Sequence, residues 1–488
     1  MKYGAVATGH QLTSETAMSI LRAGGNAVDA AIAAYCAACV AEPCMASMAS
    51  GAFATLFFDD DIHSLDCFCQ TPARKISDSN LVPIHVDFGT AQEVYYGGAG
   101  AVAVPGIVKG LYELHDKFGS IPMSELFEPA RAMAREGVAL NTFQQYDLSL
   151  LRSAFGMQER GQEIFFKNGK LKQVGDLITL PNFDEFLFVL GKEGEDFFYR
   201  GEIARSIEEI CVDQGGHLTR DDLSAYKIHW RTPESFYRDV HAIFMSPGPS
   251  MGHALFHRMQ NRLADVFVLP EPFSNDHLEY LLPGLHGCRD LLNYRQLLFD
   301  LAGVNPVQGG KLSGTSHLNV LDNQGNAITL TFSIGEGAGI YVDGTDVHLN
   351  NMLGEPALLP EGLDSWECDR RLASMMTPTI ITRMGRPLYL LGTGGAERIP
   401  VILSLIIHYL LDLDMSLDEA INAPRVYLAK EQLEVEVGFE KGKIIDMLPT
   451  RYWDEQSLYF GGVHGIEIDG DKVTAIGDSR REGFAIVE

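Results

Sequence analysis

Near residue 310 the chain changes texture, and that change limits what it can fold into. The run Gln308-Gly309-Gly310-Lys311-Leu312-Ser313-Gly314 has no apolar period and reads as a loop. Behind it come Ser316–Leu321, the turn Asp322-Asn323-Gln324-Gly325 and Asn326–Ser333, a strand–turn–strand hairpin. A second hairpin pairs Thr379–Met384 with Leu388–Leu391 and turns at Gly385; further strands are expected at Leu433–Phe439, Val463–Ile468 and Lys472–Ile476. Helices dominate the part before residue 310. Yet Ala52–Phe58 reads as a buried strand there, while Glu397–Leu411 and a segment capped by Ser416 with Glu419 read as helices beyond it. With no repeat or long linker between them, the two textures predict one fused α/β body.

In the helical part, Ser14 to Arg22 is closed by Gly24-Gly25, and a very apolar helix runs from Asn26 to about Val40. Ile107–Phe118 and Met123–Glu136 follow, the second entered through Pro122, and residues 140–300 read as mostly helical. The apolar stretches Ala30–Ala41 and Pro400–Leu411 are shorter than a bilayer span and sit inside helical patterns, so no membrane role is expected. At 488 residues, 46% hydrophobic and 21% charged, the chain can bury a large core. Its net charge of −27 repels phosphate backbones, which disfavours a nucleic-acid partner and gives no steering of anionic substrates. Met1 to His10 has no apolar run behind a basic start. Eight cysteines are too few for a disulfide scaffold, and Cys36, Cys39 and Cys44 read as buried thiols. A reduced, cytoplasmic protein is expected.

The sequence has no zinc-type His/Cys cluster, phosphate-binding glycine loop or Gly-x-Ser-x-Gly elbow. The informative segment is Ser313-Gly314-Thr315-Ser316-His317, which delivers a threonine to a strand edge. Inside a chain a threonine is a poor nucleophile. At a new N-terminus its own α-amine, with a reference pKa of about 7.7–8.0, can accept the hydroxyl proton. The β-methyl stiffens χ1, and Gly314 tolerates the strained backbone that self-cleavage needs. By itself Gly-Thr-Ser is ordinary turn chemistry.

The wider context is more specific. Gly24-Gly25-Asn26-Ala27-Val28-Asp29-Ala30-Ala31, Val104-Pro105-Gly106 with Gly110, Gly215-Gly216 with Asp222-Leu223 and Tyr226, and Gly314-Thr315-Ser316-His317 follow one another. Then come Leu349-Asn350-Asn351-Met352, Ser374-Met375-Met376-Thr377-Pro378, Gly394-Gly395, Ala423-Pro424-Arg425, Phe460-Gly461-Gly462-Val463-His464 and Asp478-Ser479-Arg480-Arg481 with Gly483. In this order the set resembles the γ-glutamyltranspeptidase family of N-terminal-nucleophile hydrolases from end to end.

The resemblance implies an α+β fold, a four-layer αββα sandwich. It implies a precursor that cuts itself before Thr315 into segments 1–314 and 315–488, which stay associated as one structural unit. Thr315 is similar to the family nucleophile, and Ser333 falls where a second hydroxyl bonds that nucleophile. Gly394-Gly395 matches the pair whose N–H groups form the oxyanion hole. His317 is expected to be satisfied locally, without a catalytic role. The substrate contacts match less well. The carboxylate-anchoring arginine corresponds to Ser77, with Arg74 close enough to replace it by a small shift, and Phe68-Cys69 stands where the family often has Arg-Glu. The positions that hold the amino group correspond to Met352 and Glu355, and a serine pair to Ala373 and Ser374. The implied activity is cleavage of γ-glutamyl amides such as glutathione, by hydrolysis or transfer to an amine, without metal or organic cofactor. A related acylase acting on a different acyl group, and an unprocessed binding scaffold, stay open, as does a homodimer.

Overall fold

The computed structural model describes residues 1–87, 92–263, 268–293, 314–356, 358–359, 362–430, 432–442 and 448–488. Of the expected loop before Thr315, residues 308–313 lie outside them.

The first expected hairpin is the centre of the molecule. Its strands are Gly314–Asp322 and Ala327–Gly335, buried along their whole length. The turn is fixed by Asp322, whose carboxylate accepts from the backbone N–H groups of Gln324 and Asn326 at 2.8 and 3.0 Å. Gly325, at φ 90°, supplies the left-handed residue. Gly4–Thr8 pairs with the outer side of one strand and Gly51–Phe58 with the other. The resulting seven-stranded sheet runs 229–231, 61–67, 51–58, 327–335, 314–322, 4–8, 484–487. A six-stranded sheet faces it, in the order 234–238, 241–245, 379–383, 386–394, 462–469, 472–476.

Each sheet carries helices on its outer face. The helix Ala27–Ala41 is apolar all round and buried at all 15 positions, as such a helix must be. Its alanines allow close approach, and Tyr35 meets Phe332 of the hairpin edge-on at 4.8 Å. Asn26 and Asp29 close a capping box at its start, and the buried Asp29 also accepts from the Ser120 and Ile121 amides. The helix Ile399–Leu411 covers the other sheet, with Gly252–Leu263 beside it, where Phe256 packs on Phe236 of the strand 234–238, and Asn275–Asn293 packed against Gly252–Leu263. The layers therefore run α, β, β, α, as the resemblance implied. Between the sheets, an apolar cluster of Ala5, Phe57, Leu321, Ile380, Leu390 and their neighbours fills one end only. The other end, where Thr315 lies, is polar and glycine-rich.

Several expectations need correction. The segment 140–300 is not simply helical: His229–Arg231, Glu234–Arg238 and His241–Met245 supply outer strands to both sheets. These are short and only partly buried, so they lack a clean two-residue alternation. Gly4–Thr8 and Phe484–Val487 are also strands that the sequence pattern missed. The first helix starts at Gln11 because the His10 imidazole accepts from the Leu12 N–H at 3.1 Å. The strand expected over Leu433–Phe439 is confined to Gln432–Val435.

Candidate active site

Strand alternation decides which side chains enter the site. Ser316 points to the helical layer and donates to Glu42 at 2.6 Å. Thr315, His317 and Asn319 point toward the second sheet, where the His317 ring packs on Gly392 and Asn319 donates to the His464 carbonyl. His317 is satisfied by Thr331 at 2.8 Å and Asn319 at 3.0 Å, and burial pushes it down to about 3.

Thr315 stands opposite Ser333 in the hairpin, and the pairing is irregular between Gly314 and Thr315. The peptide between them is held from several sides. Ser333 Oγ donates to the Gly314 carbonyl at 3.0 Å and accepts from the Gly335 N–H at 3.0 Å. That second bond engages the oxygen and leaves its proton for the carbonyl. Arg481 Nη1 donates to the Thr315 carbonyl at 3.0 Å. At Gly314 only glycine fits, because a Cβ would lie 2.3 Å from the Gly335 carbonyl oxygen and 2.4 Å from that of Cys44. Ser333 therefore contacts the carbonyl of the Gly314–Thr315 bond, a partner the sequence did not indicate.

Thr315 and Ser333 open on a cavity walled by Phe68, Leu358, Ile399 and four methionines, Met251, Met352, Met375 and Met376. Its polar wall is Glu355, Ser374 and Glu397. The free space is about 30 Å³, room for one or two waters and too little for an acyl group. Ser374 Oγ accepts from the Met376 N–H at 3.1 Å, which fixes the hydroxyl at the wall. Glu355 lies against Glu336, and burial pushes its carboxyl up to about 8. Glu397 is held by Arg289 at 3.7 Å.

On the other side of the same peptide is a smaller cavity, lined by Gly314, Glu336, Asp147, Arg481 and apolar side chains. Burial pushes Asp147 up to about 7 and pulls Arg481 down to about 10.

Gly394 and Gly395 approach from the second sheet. Gly394 ends its strand against the Thr315 carbonyl, where a Cβ would lie 2.2 Å from the oxygen. Gly395, at φ 128°, turns the chain into the short helix Ala396–Arg398. The cavity wall on this side is formed by Ala396 and Glu397, the next two residues.

Six of the expected residues thus converge: Thr315, Ser333, Glu355 and Ser374 wall one cavity, with Gly394 and Gly395 at its edge. Arg74 is a correction. It is exposed, and among the described residues it reaches the His217 carbonyl at 3.4 Å and does not form part of the cavity wall. Its loop is tied outward by bonds from the Ala73 N–H to Asp222 and from the Ile76 N–H to His217. Ser77 is exposed as well, whereas Phe68 does wall the cavity. Sequence reasoning missed Glu336 and Arg481. Glu336 had a usable signal, a charge inside Gly335-Glu336-Gly337 directly after a buried strand. Arg481 stood in a motif without a role attached.

A family model described as gamma-glutamyltranspeptidase matches residues 13–276 and 292–488. The chain is 28% identical to a glutathione hydrolase proenzyme of Bacillus subtilis (strain 168), over 99% of this chain and 91% of that protein. It is likewise 28% identical to the acylase ACY 1 proenzyme of Pseudomonas sp. (strain SE83), over 89% of this chain and 84% of that protein. Among solved structures, cephalosporin acylase from Bacillus halodurans shares the fold, with a TM-score of 0.82 at 22% identity, covering 99% of this chain and 96% of that one.

Proposed function

The chain belongs to the gamma-glutamyltranspeptidase family of enzymes, and we propose that it is a self-processing amide hydrolase and acyltransferase whose nucleophile is Thr315. The observation that carries this reading is the bond from Ser333 Oγ to the Gly314 carbonyl, beside the Thr315 side chain. In self-cleavage the Thr315 oxygen attacks the Gly314 carbonyl carbon. Negative charge develops on the oxygen that already accepts from Ser333, so that bond strengthens as the transition state forms. The C–N bond then breaks, the hydroxyl proton passes to the departing amine, and Gly314 is left as an ester on Thr315. Water hydrolyses the ester. The released α-amine of Thr315 is the base for the next attack.

In turnover the same oxygen attacks a substrate amide, and Gly394 and Gly395 offer their N–H groups to the new oxyanion. Their support is position: Gly394 lies against Thr315, and Gly395 adopts a backbone that only glycine holds without strain. The leaving amine departs with a proton from the Thr315 ammonium. Water or an acceptor amine then attacks the acyl ester.

The free space beside Thr315 is too small for a donor, which fits a chain not yet cut. The glutathione hydrolase relatives make γ-glutamyl amides the reference donor. The alternative, a different acyl group as in the acylase relative, is favoured by one observation: Arg74 does not reach the cavity. A denaturing gel tests the reading. Two fragments from the native chain and one intact chain from Thr315→Ala are expected, and a native chain that never cleaves would leave only the scaffold reading.

A further inference from the structure

Self-cleavage through Thr315 contains a step that needs a base of its own. Once the acyl group has moved to Thr315 Oγ, the freed α-amine lies beside the ester carbonyl. In its neutral form it is a better nucleophile than water, and its attack on that carbon restores the peptide. The cut goes forward only if a water reaches the ester together with a group that takes its proton.

The region behind Gly314 brings such a group into place. The helix Thr142–Leu150 starts at Asn141, whose side chain accepts from the Gln144 N–H at 2.7 Å. Its first turn is tied to the neighbour of Arg481, since Glu482 accepts from the Phe143 N–H at 3.3 Å. Gln144 and Asp147, three positions apart, share one face of this helix, and both are buried. Asp147, Gly314, Glu336 and Arg481 border the smaller cavity, whose free space of about 20 Å³ takes one water. Polar capacity there is in excess. Among the described residues no hydrogen bond reaches Asp147 Oδ2, Arg481 Nε or either amide atom of Gln144. Buried polar atoms left in this way call for a water. A guanidinium N–H donates and a carboxylate oxygen accepts, which together hold a water with a lone pair free. The Arg481 guanidinium is fixed beside the cut peptide by its bond to the Thr315 carbonyl. Glu336 borders the same space, but its carboxyl lies against Glu355. Burial pushes the Asp147 carboxyl up to about 7 and Arg481 offsets this in part, so near neutral pH it both takes and gives up a proton.

We propose that the cavity behind Gly314 holds the water that hydrolyses the Thr315 ester, and that Asp147 is its general base. This inference rests on Thr315 being the nucleophile of self-cleavage. Asp147 takes a proton from the water as the water oxygen bonds to the Gly314 carbonyl carbon. The bond from that carbon to Thr315 Oγ then breaks, and Oγ leaves with a proton from the adjacent α-ammonium. Gly314 is left as a carboxylic acid and gives its proton to the same amine. Asp147 releases the proton of the water to solvent.

The test separates the acyl shift from the hydrolysis. Full-length chain made by cell-free translation is followed on a denaturing gel, with and without neutral hydroxylamine, which opens esters and spares peptides. Wild type should cut by itself. Asp147→Asn keeps the shape and loses the base, so self-cleavage should slow by about 10²–10⁴-fold, the usual worth of a general base. Its intact chains should carry the ester, and hydroxylamine should release the same two fragments, with Gly314 ending in a hydroxamate. Asp147→Ala leaves room for a small acid, and added formate should restore part of its cleavage. A merely structural role predicts neither rescue. Cleavage of Asp147→Asn at the wild-type rate overturns the inference, as does an intact chain that yields nothing to hydroxylamine. Should Asp147→Asn melt far below wild type, formate with Asp147→Ala decides, and no rescue there overturns it. The Thr315 reading is scored separately and survives those results. Thr315→Ala should give no fragment with or without hydroxylamine; if that variant cuts, or wild type never does, both fall.

Discussion

At the scale of single residues, the site depends on how a few polar atoms are held around one peptide bond. Ser333→Ala removes the donor to the Gly314 carbonyl but leaves Thr315 in place. Loss of one oxyanion donor typically costs about 10²–10³ in rate. Fragment appearance followed on a denaturing gel should therefore slow by roughly that factor. Cleavage at an unchanged rate would mean that the bond is only structural. Glu42 gives a second test at this scale. Burial pushes its carboxyl up to about 7, and the hydroxyls of Ser316 and Thr13 offset this only in part. A raised carboxyl binds its proton more tightly in the folded chain than in the unfolded one. Its contribution to stability is thus fully present below the unfolded pKa of about 4.5 and is lost as pH rises through about 7. The melting temperature of Glu42→Gln, compared with wild type from pH 5 to pH 8, should fall less steeply with rising pH. Parallel curves would show that Glu42 does not titrate in this window.

At the scale of elements, two sheets packed face to face must approach closely at Thr315, and glycines make the approach possible. Gly394→Ala would place a methyl 2.2 Å from the Thr315 carbonyl oxygen, and backbone rather than a flexible side chain would have to move. The variant should fold with lower stability and cleave poorly; normal cleavage and melting would contradict the close packing. A brace behind this junction ties distant motifs together. Asp478 pairs with Arg425 and Arg480, accepts from the Val463 N–H at 2.8 Å, and shares Arg480 with Glu436. All four side chains are buried, so Asp478→Ala leaves guanidinium charge unpaired in the interior. Such losses cost about 3–5 kcal/mol. Urea unfolding should show a drop of that order. Features that lie within a few residues were legible in advance, as the hairpin, its turn and the apolar helix show. The contacts of Glu336 with Glu355 and of Arg481 with Thr315 were not, since only the fold brings residues 336, 355 and 481 to one place. Arg74 was misplaced for a related reason: sequence distance from Pro72-Ala73 carried no information about the outward turn imposed by Asp222 and His217.

At the scale of the whole molecule, cleavage at Gly314–Thr315 would cut the chain inside its central sheet without separating the parts. The strand that begins at Thr315 stays paired with Gly4–Thr8, and its hairpin partner stays paired with Gly51–Phe58. Phe484–Val487 from the end of the chain pairs with the same Gly4–Thr8 strand. Segments 1–314 and 315–488 should therefore co-elute under native conditions and separate only in denaturant; separation in plain buffer would contradict this topology. The central claim is that Thr315 becomes the first residue of the second segment and carries the acyl group. Its most direct measurement is the intact mass of the small fragment, with and without a brief exposure to a turned-over anilide. The expected result is the mass of Thr315–Glu488, shifted by one acyl group located on Thr315 when the reaction is quenched during turnover. A fragment that begins at any other residue, or an acyl group located on any other side chain, would contradict it.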